Sequence, residues 1–192
     1  MHNERDAAIQ ALREHGSYLI TTHINPEGDA LGSALAVYHA MIGMGKQAAV
    51  VMSDPVPAQL AFLPGVHAVQ TPDAYNGDAA CAIAVDCATR DRTGEVSALL
   101  DAVDTVINID HHTSNTRYGT INWVGPGASS AGEMLYDLFA AMGVPLTPEI
   151  ALCLYVSVVT DSGFFSYENT TPHTHDVAAS LIDAGISPSE VH

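Results

Sequence analysis

Short apolar runs rich in β-branched residues alternate along this chain with stretches of helical periodicity, and that alternation admits few folds. Tyr18, Leu19, Ile20, Thr21 and Thr22 form the first such run, with the character of a buried strand. Pro26 and Gly28 break it, and from Asp29 the residues Leu31, Leu35, Tyr38, Met41 and Ile42 recur at helical spacing until Gly43 and Gly45. Ala48 to Met52 then reads as a second strand, which completes a β-α-β unit. The pattern returns with a strand over Ala82–Val85, a helix over Glu95–Val103 and a strand over Thr105–Ile109. A short strand is expected around Thr120–Val124, followed by helices over Ser130–Met142, Pro148 to Val159 and Pro172–Ala184. Asn3 is expected to cap a first helix that ends near Gly16. Such alternation predicts an α/β domain, doubly wound, with a mainly parallel sheet and helices on both faces.

The chain has 192 residues, 47% of them hydrophobic, enough for one such core. Ser187, Pro188, Ser189 and Glu190 carry a Ser-x-x-Glu capping box with Pro at the first helical position. Residues 1–186 are therefore expected to form one domain, and 187–192 the start of a truncated helix or linker. Six Lys and Arg stand against 22 Asp and Glu, a net charge of −16, so the overall field repels polyanions. Binding of long duplex nucleic acid is thereby disfavoured, leaving small ligands, cations, or an anionic substrate met locally by bound metal. The cysteines Cys81, Cys87 and Cys153 are odd in number and lie in or beside apolar runs, as expected of reduced thiols in a cytoplasmic protein. The mixed-charge start carries no leader pattern, and the longest apolar run, Ala151–Val159, falls short of the about 20 residues that span a bilayer.

Acidic and histidine residues gather where strands end. His23, Glu27 and Asp29 follow the first strand, Asp86 follows Ala82–Val85, and Asp110, His111 and His112 follow Val106–Ile109. Ligands of open parallel sheets bind outside the carboxyl ends of the strands, so three strands deliver these groups to one crevice. Asp161 ends an apolar helix, where the helix dipole and the apolar surroundings both disfavour a lone carboxylate. No Lys or Arg lies near it in sequence, and a bound metal is the economical partner. Carboxylates mixed with imidazoles suit Mn²⁺ or Mg²⁺ better than structural zinc. So many ligands point to two ions, an arrangement suited to hydrolysis of phosphate esters or anhydrides.

These segments carry a family resemblance. His23-x-Asn25-Pro26-Glu27-Gly28-Asp29-Ala30-x-Gly32-Ser33, Asp86, Asp110-His111-His112-x-Ser114-Asn115 and Thr160-Asp161-Ser162-Gly163 resemble, in order, the four motifs of the DHH phosphoesterase superfamily. The resemblance is strongest to its nanoRNase/pAp phosphatase branch; RecJ exonucleases and family II inorganic pyrophosphatases are more distant. It implies an Mn²⁺-dependent hydrolase of very short oligonucleotides and of 3′-phosphoadenosine 5′-phosphate, with two Mn²⁺ per active site and Mg²⁺ or Co²⁺ as substitutes. It also implies that His23, Glu27 and Asp86 hold one metal, that Asp29, Asp86, His111 and Asp161 hold the other, and that Asp86 bridges them. His112 would contact the scissile phosphate and help protonate the leaving oxygen, with Asp110 and Asn115 beside it, while Asn115 and Ser33 steady the shell. Ser129-Ser130-Ala131-x-Glu133 resembles the family segment that opens the next helix, whose N-terminus would either receive a phosphate or be plainly capped.

Two departures from the family pattern stand out. Glu27 replaces the usual Asp, adding about 1.5 Å of reach, and nothing matches the Gly-rich motif of the family's C-terminal DHHA1 domain. A phosphoanhydride hydrolase, meaning a pyrophosphatase or exopolyphosphatase, and a non-catalytic metal or nucleotide sensor are the alternatives. Expected partners are a short oligonucleotide or nucleotide and, as an option, a second copy of the chain; no membrane is expected. Arg90, Arg92 and Arg117 read either as phosphate contacts or as surface pairs. Phe164, Phe165 and Tyr167 read either as core packing or as a stacking surface for a base. His67, His173 and His175 read as solvated surface residues.

Overall fold

The computed structural model describes residues 2–191. Six parallel strands form one sheet: β1 (Ser17–Thr21), β2 (Gln47–Val51), β3 (Val69–Gln70), β4 (Cys81–Val85), β5 (Thr105–Asp110) and β6 (Ile121–Val124). Their order across the sheet is β3-β2-β1-β4-β5-β6. The helices are α1 (His2–Glu14), α2 (Gly28–Gly43), α3 (Ser97–Leu100), α4 (Ala131–Met142), α5 (Pro148–Asp161) and α6 (Pro172–Asp183). None of the described helices is long and apolar enough to cross a membrane.

The sense in which successive strands are added reverses between β1 and β4. From β1 the chain steps outward through α2 to β2, and from β4 it steps the opposite way through α3 to β5. Right-handed crossovers in opposite directions put their helices on opposite faces. The packing agrees: Tyr18, Ile20, Ile83, Ile107 and Ile109 share a core with Leu31 and Leu35 of α2, whereas Leu19, Val51, Ala82 and Val106 pack with Val96 and Leu100. The two layers are unequal. α4, α5 and α6 all return to the α2 side, so the second face carries little more than α3 and its preceding turn. All five residues of β4 are buried, the near-continuous apolar run that a doubly covered parallel strand needs.

The register aligns the carboxyl ends of the central strands. Thr21 lies beside Ala84, and Val85 beside Ile109, so the residues that follow β1 and β4 and those that close β5 emerge on one edge. This is the crevice at the topological switch point.

Several local expectations are corrected. The helix expected over Glu95–Val103 is a 3₁₀ turn (Arg90–Val96) broken at Gly94, whose φ of 61° leaves the helical region, followed by a single α-turn, α3. Asn3 lies inside α1 rather than capping it. The two-residue β3 was not foreseen, because nothing in two residues carries a period. Ser187 makes no capping hydrogen bond; its Oγ pairs with Ser189 Oγ at 2.8 Å, and Pro188–Glu190 forms one 3₁₀ turn. His192, the end of the expected helix start, lies outside the described residues.

Candidate metal centre

Asp29 sits in the first turn of α2 and reaches across to the start of α4. Its Oδ2 accepts a hydrogen bond from Ala131 N at 2.9 Å, and its Oδ1 accepts from Gly132 N at 3.3 Å, Ser33 Oγ at 2.9 Å and Ser157 Oγ at 2.5 Å. Ser130 caps the same helix by accepting from Glu133 N at 3.0 Å. The α4 N-terminus therefore already holds a carboxylate and a hydroxyl, so its amides are not open to a substrate phosphate; of the two readings of Ser129-Ser130, capping is the observed one.

Asp86 follows β4 directly, with a left-handed backbone (φ 49°) that Asp tolerates better than most residues. Its Oδ2 lies 3.4 Å from His23 Nε2, and its Oδ1 lies 3.5 Å from His111 Nε2. His111 Nε2 is also 3.6 Å from Asp29 Oδ2 and 3.4 Å from Asp161 Oδ2. The rings are aimed from behind: Ala128 O lies 3.3 Å from His111 Nδ1, and Ile24 O lies 2.7 Å from His23 Nδ1. A carbonyl can only accept, so each Nδ1 carries a proton, and Nε2 is the atom that would turn a lone pair to a bound cation.

The donor set fits a cation. Asp86 Oδ1 and His111 Nε2 are buried without a hydrogen-bond partner among the described residues. An unsatisfied buried polar atom costs about 1–3 kcal/mol, a cost that an ion shared by these atoms would remove. Asp29, His111 and Asp161 bring ligand atoms close enough to share one ion, and Asp86 and His111 take part in a second such group with His112.

The protonation equilibria carry the same excess of negative charge. Burial, and then the Asp86 charge, push the Asp29 carboxyl up to about 7. Burial likewise raises Asp161. Burial opposes the charge on His111, but its contact with Asp86 and the Asp29 and Asp161 charges outweigh it and push the imidazole up to about 9. For Asp86 burial is again outweighed, by His111 and His23, which hold this carboxyl below its usual range.

His112 is held differently. Its Nδ1 is 2.8 Å from Asp110 Oδ1, and that hydrogen bond raises its pKa. Asp110, fully buried, accepts from Asn115 Nδ2 at 2.6 Å, and the same amide reaches Asn108 Oδ1 at 2.8 Å. Asn108 in turn donates to the carbonyls of Ala84 and Cys87 at 3.3 and 3.1 Å. Although His112 Nδ1 lies 3.5 Å from Asp86 Oδ1, its proton is committed to Asp110, so this nitrogen orients the ring instead of offering a lone pair.

The family model for the DHH family, N-terminal domain, matches residues 17–158. The chain belongs to the DHH family. A bifunctional oligoribonuclease and PAP phosphatase NrnA from Thermus thermophilus is 38% identical over 176 residues, which cover 92% of this chain and 52% of that protein. A probable manganese-dependent inorganic pyrophosphatase from Streptococcus mutans is 26% identical over 83% of this chain and 52% of that protein. The crystal structure of an exopolyphosphatase-related protein from Bacteroides fragilis superposes with a TM-score of 0.92 at 25% identity, covering 100% of this chain and 59% of that one. The chain spans about half the length of the curated relatives it matches.

In this DHH domain His23, Glu27, Asp29, Asp86, His112 and Asp161 line one cavity of about 110 Å³ together with Arg92 and Thr160. Glu27 takes part in neither ligand-distance group; it stands at the N-cap of α2 without a capping bond, its side chain exposed. Arg90 turns instead to Asp101 and Ser97, and Arg117 to Glu4 Oε1 at 2.6 Å, so both are surface pairs. Phe165 stacks on His175 with ring centroids 5.1 Å apart, while Phe164 and Tyr167 are exposed. His173 pairs with Asp137 at 3.1 Å, outside the crevice. Ser157 and Asn108 are the contributors that sequence reasoning missed. Each looks like an ordinary polar residue of a buried helix or strand until its partner arrives from another element.

Proposed function

We propose that this DHH domain is the catalytic unit, over residues 1–186, of an Mn²⁺-dependent phosphoesterase that hydrolyses short oligonucleotides and 3′-phosphoadenosine 5′-phosphate. The observation that carries the reading is the meeting of Asp29, Asp86, His111 and Asp161 around two buried ligand atoms without a hydrogen-bond partner among the described residues. In it Asp29, Asp86, His111 and Asp161 hold one ion, His23, Glu27 and Asp86 hold the second, and Asp86 is shared. Bound ions of this kind supply Lewis-acid activation of the phosphoryl group and of the attacking water.

The chain's own residues do the rest. Asp29 and Ser157 fix the ligand cluster against α4 and α5. His112 keeps its Nδ1 proton on Asp110, which leaves Nε2 for the substrate; the raised pKa favours the imidazolium, which can protonate the leaving oxygen. Asn115 holds Asp110, and Ser33 steadies Asp29. The buried free thiols Cys81, Cys87 and Cys153 support a cytoplasmic setting.

The likeness to a probable pyrophosphatase favours one second reading, hydrolysis of phosphoanhydrides. The higher identity to an oligoribonuclease and PAP phosphatase supports the first. The test is Mn²⁺-dependent release of AMP from the dinucleotide pApA, with 3′-phosphoadenosine 5′-phosphate and pyrophosphate assayed beside it and Asp86→Ala as control. AMP release, abolished by the substitution while the circular dichroism spectrum is kept, is expected. Turnover of pyrophosphate alone supports the second reading. One bound metal and no turnover of any substrate indicates a metal or nucleotide sensor, and substantial activity in Asp86→Ala removes the shared-ligand role.

A further inference from the structure

In a chain of net charge −16 any side-chain cation that could assist the metals at the site is scarce, and the six Lys and Arg residues can be traced individually. Arg5 and Arg13 lie on α1, the former 3.9 Å from Asp6. Lys46 donates to the carbonyls of Arg13 and His15 at 3.0 and 2.5 Å. Arg90 is bound to Asp101 and Arg117 to Glu4. Only Arg92 lines the cavity of the ligand cluster.

Arg92 is also unusual in what it does not do. Glu27, Asp29, Asp86 and Asp161 line the same cavity, yet its half-buried guanidinium makes no hydrogen bond or ion pair among the described residues. The backbone beneath it is fixed at several points. Arg92 O accepts from Ile24 N at 2.7 Å, next to His23, and Arg92 N donates to Thr89 O at 3.2 Å. Ser53 Oγ donates to Thr93 O at 2.8 Å, and Thr93 Oγ1 to Arg90 O at 2.7 Å. Gly94 lets this turn close: at its φ of 61° a Cβ would stand 2.6 Å from Ser53 Oγ and 2.7 Å from Ile24 Cγ2. An anchored backbone thus presents an uncommitted cation to a cavity built for anions and their metals.

We propose that Arg92 binds the substrate phosphate in this cavity through its guanidinium, and so supplies the site's own cation beside the metals. The inference rests on the phosphoesterase reading above. A guanidinium fork matches two phosphoryl oxygens at once, which an ammonium cannot do.

The experiment uses the 192-residue chain in Mn²⁺, as wild type, Arg92→Ala and Arg92→Lys. It measures calorimetric affinity for inorganic phosphate, kcat and KM on pApA, Mn²⁺ affinity and the thermal midpoint. Arg92→Ala is expected to weaken phosphate binding and raise KM by about 10- to 100-fold, the range for hydrogen bonds to charged groups. Arg92→Lys should fall between the two, and added guanidinium should recover part of the loss in Arg92→Ala. Mn²⁺ affinity and the midpoint should stay at the wild-type level or rise, because the side chain makes no structural bond and repels cations.

Phosphate affinity and KM within twofold of wild type in Arg92→Ala would overturn the proposal, as would a wild type that does not bind phosphate. Equal losses of Mn²⁺ affinity and thermal midpoint would do so too, since a merely structural residue would produce them. A wild type that binds phosphate through Arg92 but hydrolyses none of the substrates leaves this inference standing and refutes the functional reading instead.

Discussion

Asp110 illustrates how single atoms decide roles at this site. One of its oxygens accepts from His112 at 2.8 Å and the other from Asn115 at 2.6 Å, inside a fully buried pocket. An Asn at this position would oppose a donor to a donor, either leaving the His112 Nδ1 proton unmatched or forcing the other tautomer. Asp110→Asn is therefore expected to lower kcat by about 10²-fold or more with little change in Mn²⁺ affinity, the scale of general-acid assistance. If the double variant with His112→Ala is no slower than His112→Ala alone, Asp110 acts through His112; additive losses would show separate roles. The pair stands two residues apart in the sequence, but its hydrogen bond is a property of the folded turn.

Packing between elements sets the positions of the ligands on α2 and α5. Gly32 lies against α5, where a Cβ would come within 2.4 Å of Cys153 O, and Gly132 of α4 meets Ser157 as closely. Backbone atoms cannot yield as side-chain tips can, so Gly32→Ala must push α2 and α5 apart. A loss of about 1–3 kcal/mol is expected for such overpacking, read as a lower thermal midpoint. Asp29 and Asp161 ride on these two helices, so weakened Mn²⁺ binding should accompany it. Between α1 and the segment after β5, Arg117 holds the Glu4 carboxyl below its usual range. A depressed carboxylate pKa stabilises the fold above the unfolded value of 4.5 and loses that contribution as pH falls through the folded value. Arg117 is half exposed, so water screens the pair and Arg117→Ala should cost less than about 1 kcal/mol at pH 7. The difference from wild type in urea unfolding should shrink as pH falls below 4.5 and vanish once Glu4 is protonated in the folded state as well.

At the scale of the whole molecule, three carboxylates are buried or half-buried with two imidazoles in one crevice of an acidic protein, and the repulsion among the carboxylates opposes folding. Mn²⁺ bound only by the folded chain should raise stability by about 2.7 kcal/mol at 100 times its dissociation constant. Addition of EDTA should reverse the shift in thermal midpoint, and an unchanged midpoint would count against the metal centre. Much of this architecture was legible beforehand. Short apolar runs marked β1, β2, β4 and β5, and the 3.6 period marked the long helices, because burial of strands and helix stripes is written locally. Strand ends marked His23, Asp86 and His111 as neighbours, because parallel strands in register open on one edge. The sequence by itself thus determined the fold class and which strand ends open on one crevice. Only tertiary structure decided that Asp29 occupies the α4 N-terminus, that Ser157 and Asn108 steady the cluster, and that Arg92 rather than Arg90 or Arg117 faces it. Those choices depend on distances of a few ångströms between segments far apart in the chain, which no local periodicity encodes.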